Sequence, residues 1–227
     1  MFLPLHDRNP IRHIRFAYVT YGLMAVTALV FLYQTLLPQA DFEVLTIQYG
    51  MIPIVVRDLV DAPGTVLPEW ANLVTYAFLH ADWLHLLSNM LFLWIFGDNV
   101  EDAFGHVKFL LFYLACAVIG ALAHLGLNPD ANGPLIGASG AVSGVLGAYL
   151  MLYPHARVIV LMRIVIPFPL PIPALWMLGV WIATQLFYVL VGSEEPVAWW
   201  AHLGGVAGGA VLALFLRRPG VALFGGA

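Results

Sequence analysis

Charge is scarce in this 227-residue chain: Asp, Glu, Lys and Arg make up 10% of it, against roughly a quarter of an ordinary soluble domain. With 62% hydrophobic residues and a mean hydropathy of +0.89, water cannot be its main solvent. Basic residues are few, and a formal net charge of -4 offers no basic face for nucleic acid. Cysteine is nearly absent. Cys116 alone can form neither an intrachain disulfide nor a multi-thiolate metal site, so the redox compartment stays open. The His-Glu-x-x-His pattern of zinc proteases is missing, as is any internal repeat of the kind that builds transporters from matched halves.

What the chain does have is long apolar runs. A helix needs roughly 20 largely apolar residues to cross the hydrocarbon core. Six segments read that way, at 16–37, 83–100, 109–127, 134–153, 174–191 and 197–216. Helices are the natural form because their backbone groups pair internally, and no alternating barrel pattern is present. The expected fold is an all-α, single-domain membrane bundle over residues 1–227. The first segment exceeds a signal-peptide core and lacks small residues for cleavage, so it reads as a retained span.

Lys and Arg favour the cytoplasmic side. With the N-terminus inside, Arg8, Arg12, Arg15, Lys108, Arg157, Arg163, Arg217 and Arg218 all fall inside and only Arg57 falls outside. Six spans bring the C-terminus back to the cytoplasm. Outside lies one long connection, about 38–82, in which Asp41, Glu43, Asp58, Asp61 and Glu69 mix with apolar pieces, and it reads as partly membrane-embedded. Pro167, Pro169, Pro171 and Pro173 exclude regular helix, which places them in the inner loop before the fifth span.

Polar residues inside such spans are costly and therefore informative. His85 and Asn89 lie four apart on one face of the second span, near its outer end. Packing glue between helices is the bland explanation. The fourth span opens Gly137-Ala138-Ser139-Gly140 and continues through Gly144 and Gly147, leaving Ser139 uncrowded at a helix start. A serine there is more often a cap than a nucleophile. His202 is followed by Gly204, Gly205, Gly208 and Gly209 on the sixth span. If the two glycine faces pack together, His202 can lie beside Ser139, because both helices descend from the outside. An imidazole can take the serine proton during attack and return it to a leaving amine. His85, Asn89 and the Ser139 amide are the available oxyanion donors. No acidic residue lies near His202 at membrane depth, which predicts a dyad and not a three-residue triad.

Gly137-Ala138-Ser139-Gly140, the pair His85 and Asn89, and Ala201-His202 followed by glycines resemble the rhomboid family of intramembrane proteases. The stretch from Phe96 to Gly105 also resembles the family's inner turn after the second span, and the likeness runs from about Trp70 to Leu216. It implies a Ser139–His202 dyad, an oxyanion hole of His85, Asn89 and the Ser139 amide, and transmembrane proteins in a lipid bilayer as substrates. Glu101, Gly105, Gly137, Gly140, Gly205 and Gly209 would be structural. His80 matches a family histidine assigned to holding the outer loop. By the same resemblance the fifth span would act as a lateral gate, with residues 192–198 as its cap.

Two positions depart from the family pattern. Trp70 is followed by Ala71 where Trp-Arg is common, and the residue one turn after the nucleophile, often aromatic, is Ser143. Neither a cofactor nor a metal is expected, and the minimal six-span form fits a bacterial inner membrane. Two rival readings stay open: a catalytically silent relative that binds membrane clients, and a metalloprotein using His80, His85 and His202. Trp70, Trp83, Trp199 and Trp200 are expected in the outer aromatic belt, and His6, His13, His106, His124 and His155 at surfaces or interfaces.

Overall fold

The computed structural model describes residues 2–57, 67–163, 167–192 and 197–225. Asp58, Asp61 and the centre of the expected cap, 193–196, lie outside the described residues. The protein is a mostly helical polytopic membrane bundle. Its helices are α1 (Tyr18–Leu36), α2 (Gln39–Tyr49), α3 (Pro53–Val56), α4 (Asn72–Thr75), α5 (Trp83–Phe104), α6 (His106–Leu127), α7 (Ser139–Leu152), α8 (Ala174–Leu190) and α9 (Trp199–Leu216). Among them α1, α6 and α9 are long and apolar enough to cross a bilayer by themselves. The surface is inverted relative to a soluble protein: Leu29, Leu36, Trp176 and Phe215 are all exposed, as lipid solvation allows.

At the centre stands α7, whose residues from Gly140 to Tyr149 are all buried and which packs against α5, α6, α8 and α9. Its 14 residues make only about 21 Å of helix, short of the roughly 30 Å hydrocarbon core. The apolar run from Pro134 reads as helix from sequence, yet the helix begins at Ser139. Two features hold the preceding residues extended. Leu135 exchanges both backbone hydrogen bonds with Met51, at 2.8 and 3.0 Å, and Gly137 has φ +118°, a conformation that only glycine adopts freely.

The glycine faces of α7 and α9 meet. A Cβ on Gly205 would strike the Gly140 carbonyl oxygen, and one on Gly209 would strike that of Gly144. Backbone therefore lies against backbone, and a single methyl group would push the helices apart.

The ends of α5 are fixed by carboxylates. Asp82 caps its start, with Oδ1 accepting from the His85 amide at 2.8 Å. At the other end Glu101 is fully buried and accepts from Val19 N (3.0 Å), Thr20 N (2.7 Å), Thr20 Oγ1 (2.6 Å) and His106 Nδ1 (2.5 Å). An acid in the last turn opposes the dipole of α5, but here it caps the bare N-terminus of α1. Asp102 accepts from the amides of Arg12, His13 and Ile14 and pairs with His13 Nδ1 at 3.0 Å. His13 and His106, expected at surfaces or interfaces, are part-exposed partners of buried acids, and His13 helps tie the N-terminal arm to the bundle.

The proline run is not an irregular loop. It forms β3 (Pro167–Pro173), an edge of an antiparallel sheet ordered β1 (Phe2–Asp7), β2 (Arg157–Arg163), β3. Ala174 donates to Ala156, so the even-numbered amides of this segment face β2 and the prolines occupy the outward positions, where no donor is needed. This small sheet adds to the expected helical fold at the end of the bundle that carries most of the basic residues.

The long connection after α1 is largely helical and is tied down by polar side chains. Thr75 Oγ1 donates to the Tyr49 carbonyl at 2.6 Å, and Asn72 Nδ2 to that of Gln48 at 3.2 Å. Anchoring of this loop therefore comes from residues just after Trp70, which is itself exposed.

Candidate active site

Ser139 is the first residue of α7 and His202 lies in the first turn of α9. Ser139 Oγ and His202 Nε2 are 2.8 Å apart. On its other side His202 Nδ1 lies 2.7 Å from Oε1 of Gln185, a buried residue of α8. The imidazole is further flanked by Trp181 of α8 at 6.0 Å between centroids and edge-on by Trp199 at 6.2 Å. Trp199 also stacks on Tyr188 at 4.5 Å. At the start of α9, its ring is thus packed against both side chains.

Ser143, one turn after Ser139, gives no ring to the imidazole; its hydroxyl donates back to the Ser139 carbonyl at 2.6 Å. Tryptophans from α8 and α9 supply the aromatic walls instead. Sequence reasoning missed Gln185 and Trp181. The signal for Gln185 was present as an amide in the middle of an otherwise apolar span.

A cavity of about 810 Å³ opens beside the pair, lined by His85, Asn89, His124, Ser139, Trp181 and His202 among others. That volume lies within the usual range for small-ligand clefts. His85 sits over Gly137: a Cβ there would come within 2.5 Å of His85 Nε2, so only glycine leaves room for the ring. Asn89 Nδ2 donates to the His85 carbonyl at 2.9 Å, which leaves its second amide hydrogen free. His85, Asn89 and the start of α7 thus share one cavity wall, and His124, expected at a surface, joins them.

His80 supports this wall from behind. Its Nε2 accepts from the Ala138 amide at 3.4 Å, and its backbone exchanges bonds with the Gln34 side chain. Burial, reinforced by the nearby His85 ring, pushes the His80 imidazole down to about 4, so it is neutral near pH 7 and able to accept. His80 Nε2 and His202 Nε2 face different partners, and among the described residues no three His, Cys, Asp or Glu side chains converge as metal ligands.

Chemically, an imidazole nitrogen facing a hydroxyl at a helix N-terminus can accept its proton as the oxygen attacks. The helix dipole and the amides there favour the negative charge that follows. A polytopic helical membrane protein with a part-buried hydroxyl–imidazole pair is the class that fold and site define. A model of the rhomboid domain matches residues 67–219. The chain belongs to the rhomboid family. It is 31% identical over 156 residues to "Rhomboid protein 1, mitochondrial" of Saccharomyces cerevisiae, covering 65% of this chain and 42% of that protein. Similarity to "RHOMBOID-like protein 12, mitochondrial" of Arabidopsis thaliana is 30% over 163 residues, 65% of this chain and 46% of the relative. A shorter stretch of 82 residues is 44% identical to "Rhomboid protease GluP" of Bacillus subtilis, covering 36% of this chain and 16% of that protein. The chain spans less than half the length of these curated relatives.

Proposed function

We propose that the protein is an intramembrane serine endopeptidase that cuts transmembrane proteins in or near their spans. The observation carrying this reading is the 2.8 Å contact between Ser139 Oγ and His202 Nε2 on the wall of a cavity. The protease named among the relatives supports hydrolysis as the chemistry. Ser139 is the nucleophile and His202 the general base. His85, the free amide hydrogen of Asn89 and the Ser139 N–H are the oxyanion donors. The pair works as a dyad in proton transfer.

Six spans and cytoplasmic termini follow from the charge distribution. The end of the bundle with Arg8, Arg12, Arg15, Lys108, Arg157, Arg217 and Arg218 faces the cytoplasm, and the site opens to the other side. A bacterial inner membrane suits a six-span bundle of this kind. Water reaches the site through the cavity, and a substrate helix unwinds locally before its carbonyl can be attacked, so segments with Gly, Pro or polar residues are preferred. The intact serine and histidine weigh against a silent, client-binding relative.

Labelling with a serine-directed fluorophosphonate tests the proposal. Wild type is expected to label and to cleave a helix-destabilised membrane substrate, while Ser139→Ala and His202→Ala do neither. Equal labelling of wild type and Ser139→Ala would end this reading.

A further inference from the structure

Gln185 is a neutral amide on an apolar membrane helix, it is 4% exposed, and the dyad as proposed above gives it no role. Its orientation is set by its own surroundings. Nε2 lies 3.2 Å from the Trp181 carbonyl and 3.4 Å from Thr184 Oγ1, and that hydroxyl itself donates to Trp181 O at 2.6 Å. A carbonyl only accepts, so the amide NH2 must point there and Oε1 must point at His202. Oε1 in turn only accepts. His202 Nδ1 at 2.7 Å is then the protonated nitrogen, and the Nε2 lone pair is left facing Ser139 Oγ at 2.8 Å.

We propose that Gln185 is a positioning residue that holds His202 in the Nδ1–H tautomer and thereby ties the base to the seating of α8. Free imidazole prefers its proton on Nε2, the nitrogen that must be empty here. With Gln185 in place, Nε2 accepts the Ser139 proton as Oγ bonds to the scissile carbonyl carbon. The Nδ1 proton stays where it is, and the imidazolium that forms is stabilised by Oε1 until Nε2–H passes to the leaving amine. Trp181, one turn before Gln185 on the same helix, packs beside the ring, so one face of α8 both orients and walls the base. Any motion that carries this face away from α9 removes the acceptor and releases the tautomer. This inference rests on Ser139 and His202 acting as proposed.

The test uses the full chain in detergent or liposomes and a small fluorophosphonate, whose access does not require a substrate helix to enter. Gln185→Leu, similar in volume and without an acceptor, is expected to lower the labelling rate roughly 10- to 100-fold. Gln185→Glu restores an acceptor and is expected to recover most of that rate. On a membrane substrate the loss in Gln185→Leu falls on kcat, with KM little changed. Independently of any variant, 15N spectra of histidine-labelled wild type, with His202→Gln to assign the signal, are expected to show the proton on Nδ1. A proton on Nε2 overturns the proposal, as does a Leu variant that labels like wild type or a Glu variant as slow as Leu. Undiminished labelling of His202→Ala marks failure of the dyad itself, whereas loss in His202→Ala with a fully active Gln185→Leu removes Gln185 alone.

Discussion

The two ends of this bundle solve the problem of buried polar groups in opposite ways. At the basic end carboxylates are saturated: Glu101 holds four hydrogen-bond donors and Asp102 four more. These two carboxylates serve to join the N-terminal arm, α1, α5 and α6. At the site end some capacity is held back: one amide hydrogen of Asn89 is left free on the wall of the cavity that Ser139 and His202 share. Saturation builds a scaffold, while spare valence at fixed positions builds a site.

The contrast can be broken from either end. The largest effect is expected from Gly209→Val, whose branched side chain meets the Gly144 carbonyl. Overpacking there should cost about 3 kcal/mol and separate Ser139 from His202, which thermal unfolding and fluorophosphonate labelling would register together. Next is Glu101→Gln, which weakens the charge-assisted bonds to Val19, Thr20 and His106. A loss of roughly 2–3 kcal/mol in denaturation is expected, with the labelling rate of the folded fraction unchanged. Equal loss of labelling in the folded fraction would show that the two ends are not separable.

The pH responses should also oppose one another. Asp7, whose carboxyl accepts from Tyr149 Oη at 2.6 Å, is pushed up to about 6 by burial, the Tyr149 bond only partly offsetting this; His6 and Asp98 lie close by. Because its folded value exceeds the unfolded one, its stabilising contribution is complete below about 4 and is lost as pH rises through about 6. His80 is displaced downwards, so its contribution is present above about 6.5 and is lost as pH falls towards 4. Each should amount to at most roughly 2–3 kcal/mol. Asp7→Asn should flatten the first limb and His80→Gln the second in melting curves between pH 4 and 7. The smallest effect, about 1 kcal/mol, is expected for Thr75→Val, which removes the bond to Tyr49 and should appear as faster proteolysis of the outer connection.

Legibility in the sequence followed the same division. Glycine spacing in 137–147 and 204–209 announced two backbones that approach closely, and from that the meeting of Ser139 and His202 could be reasoned. Glu101 was marked as structural only through the family resemblance, and Asp102 was not singled out, because both lie just beyond the expected end of the second span at residue 100. The start of α7 was hidden because Pro134 to Ala138 are as apolar as a span, and what keeps them extended includes the pairing of Leu135 with Met51, distant in sequence. The amide of Gln185 was visible within an apolar span, but its role was not, because that depends on which helix lies opposite. The sheet was concealed for a similar reason. A proline at every second position rules out helix, but it reads as an edge strand only once β2 supplies the neighbour.

The start of α8 is tied by backbone hydrogen bonds. Its first residues are pinned, Ala174 N to Ala156 O and Leu175 N to Pro154 O, both at 2.8 Å, and the strand leading into it is laced to β2. Any outward motion of this helix would therefore pivot about its first residues. Gln185 stands about 17 Å along from that pivot, where a swing of about ten degrees carries its oxygen some 3 Å, more than a hydrogen bond can stretch. Were α8 to swing that far, His202 would lose its acceptor, and by the tautomer proposal above the base would be ready again only once the helix had returned.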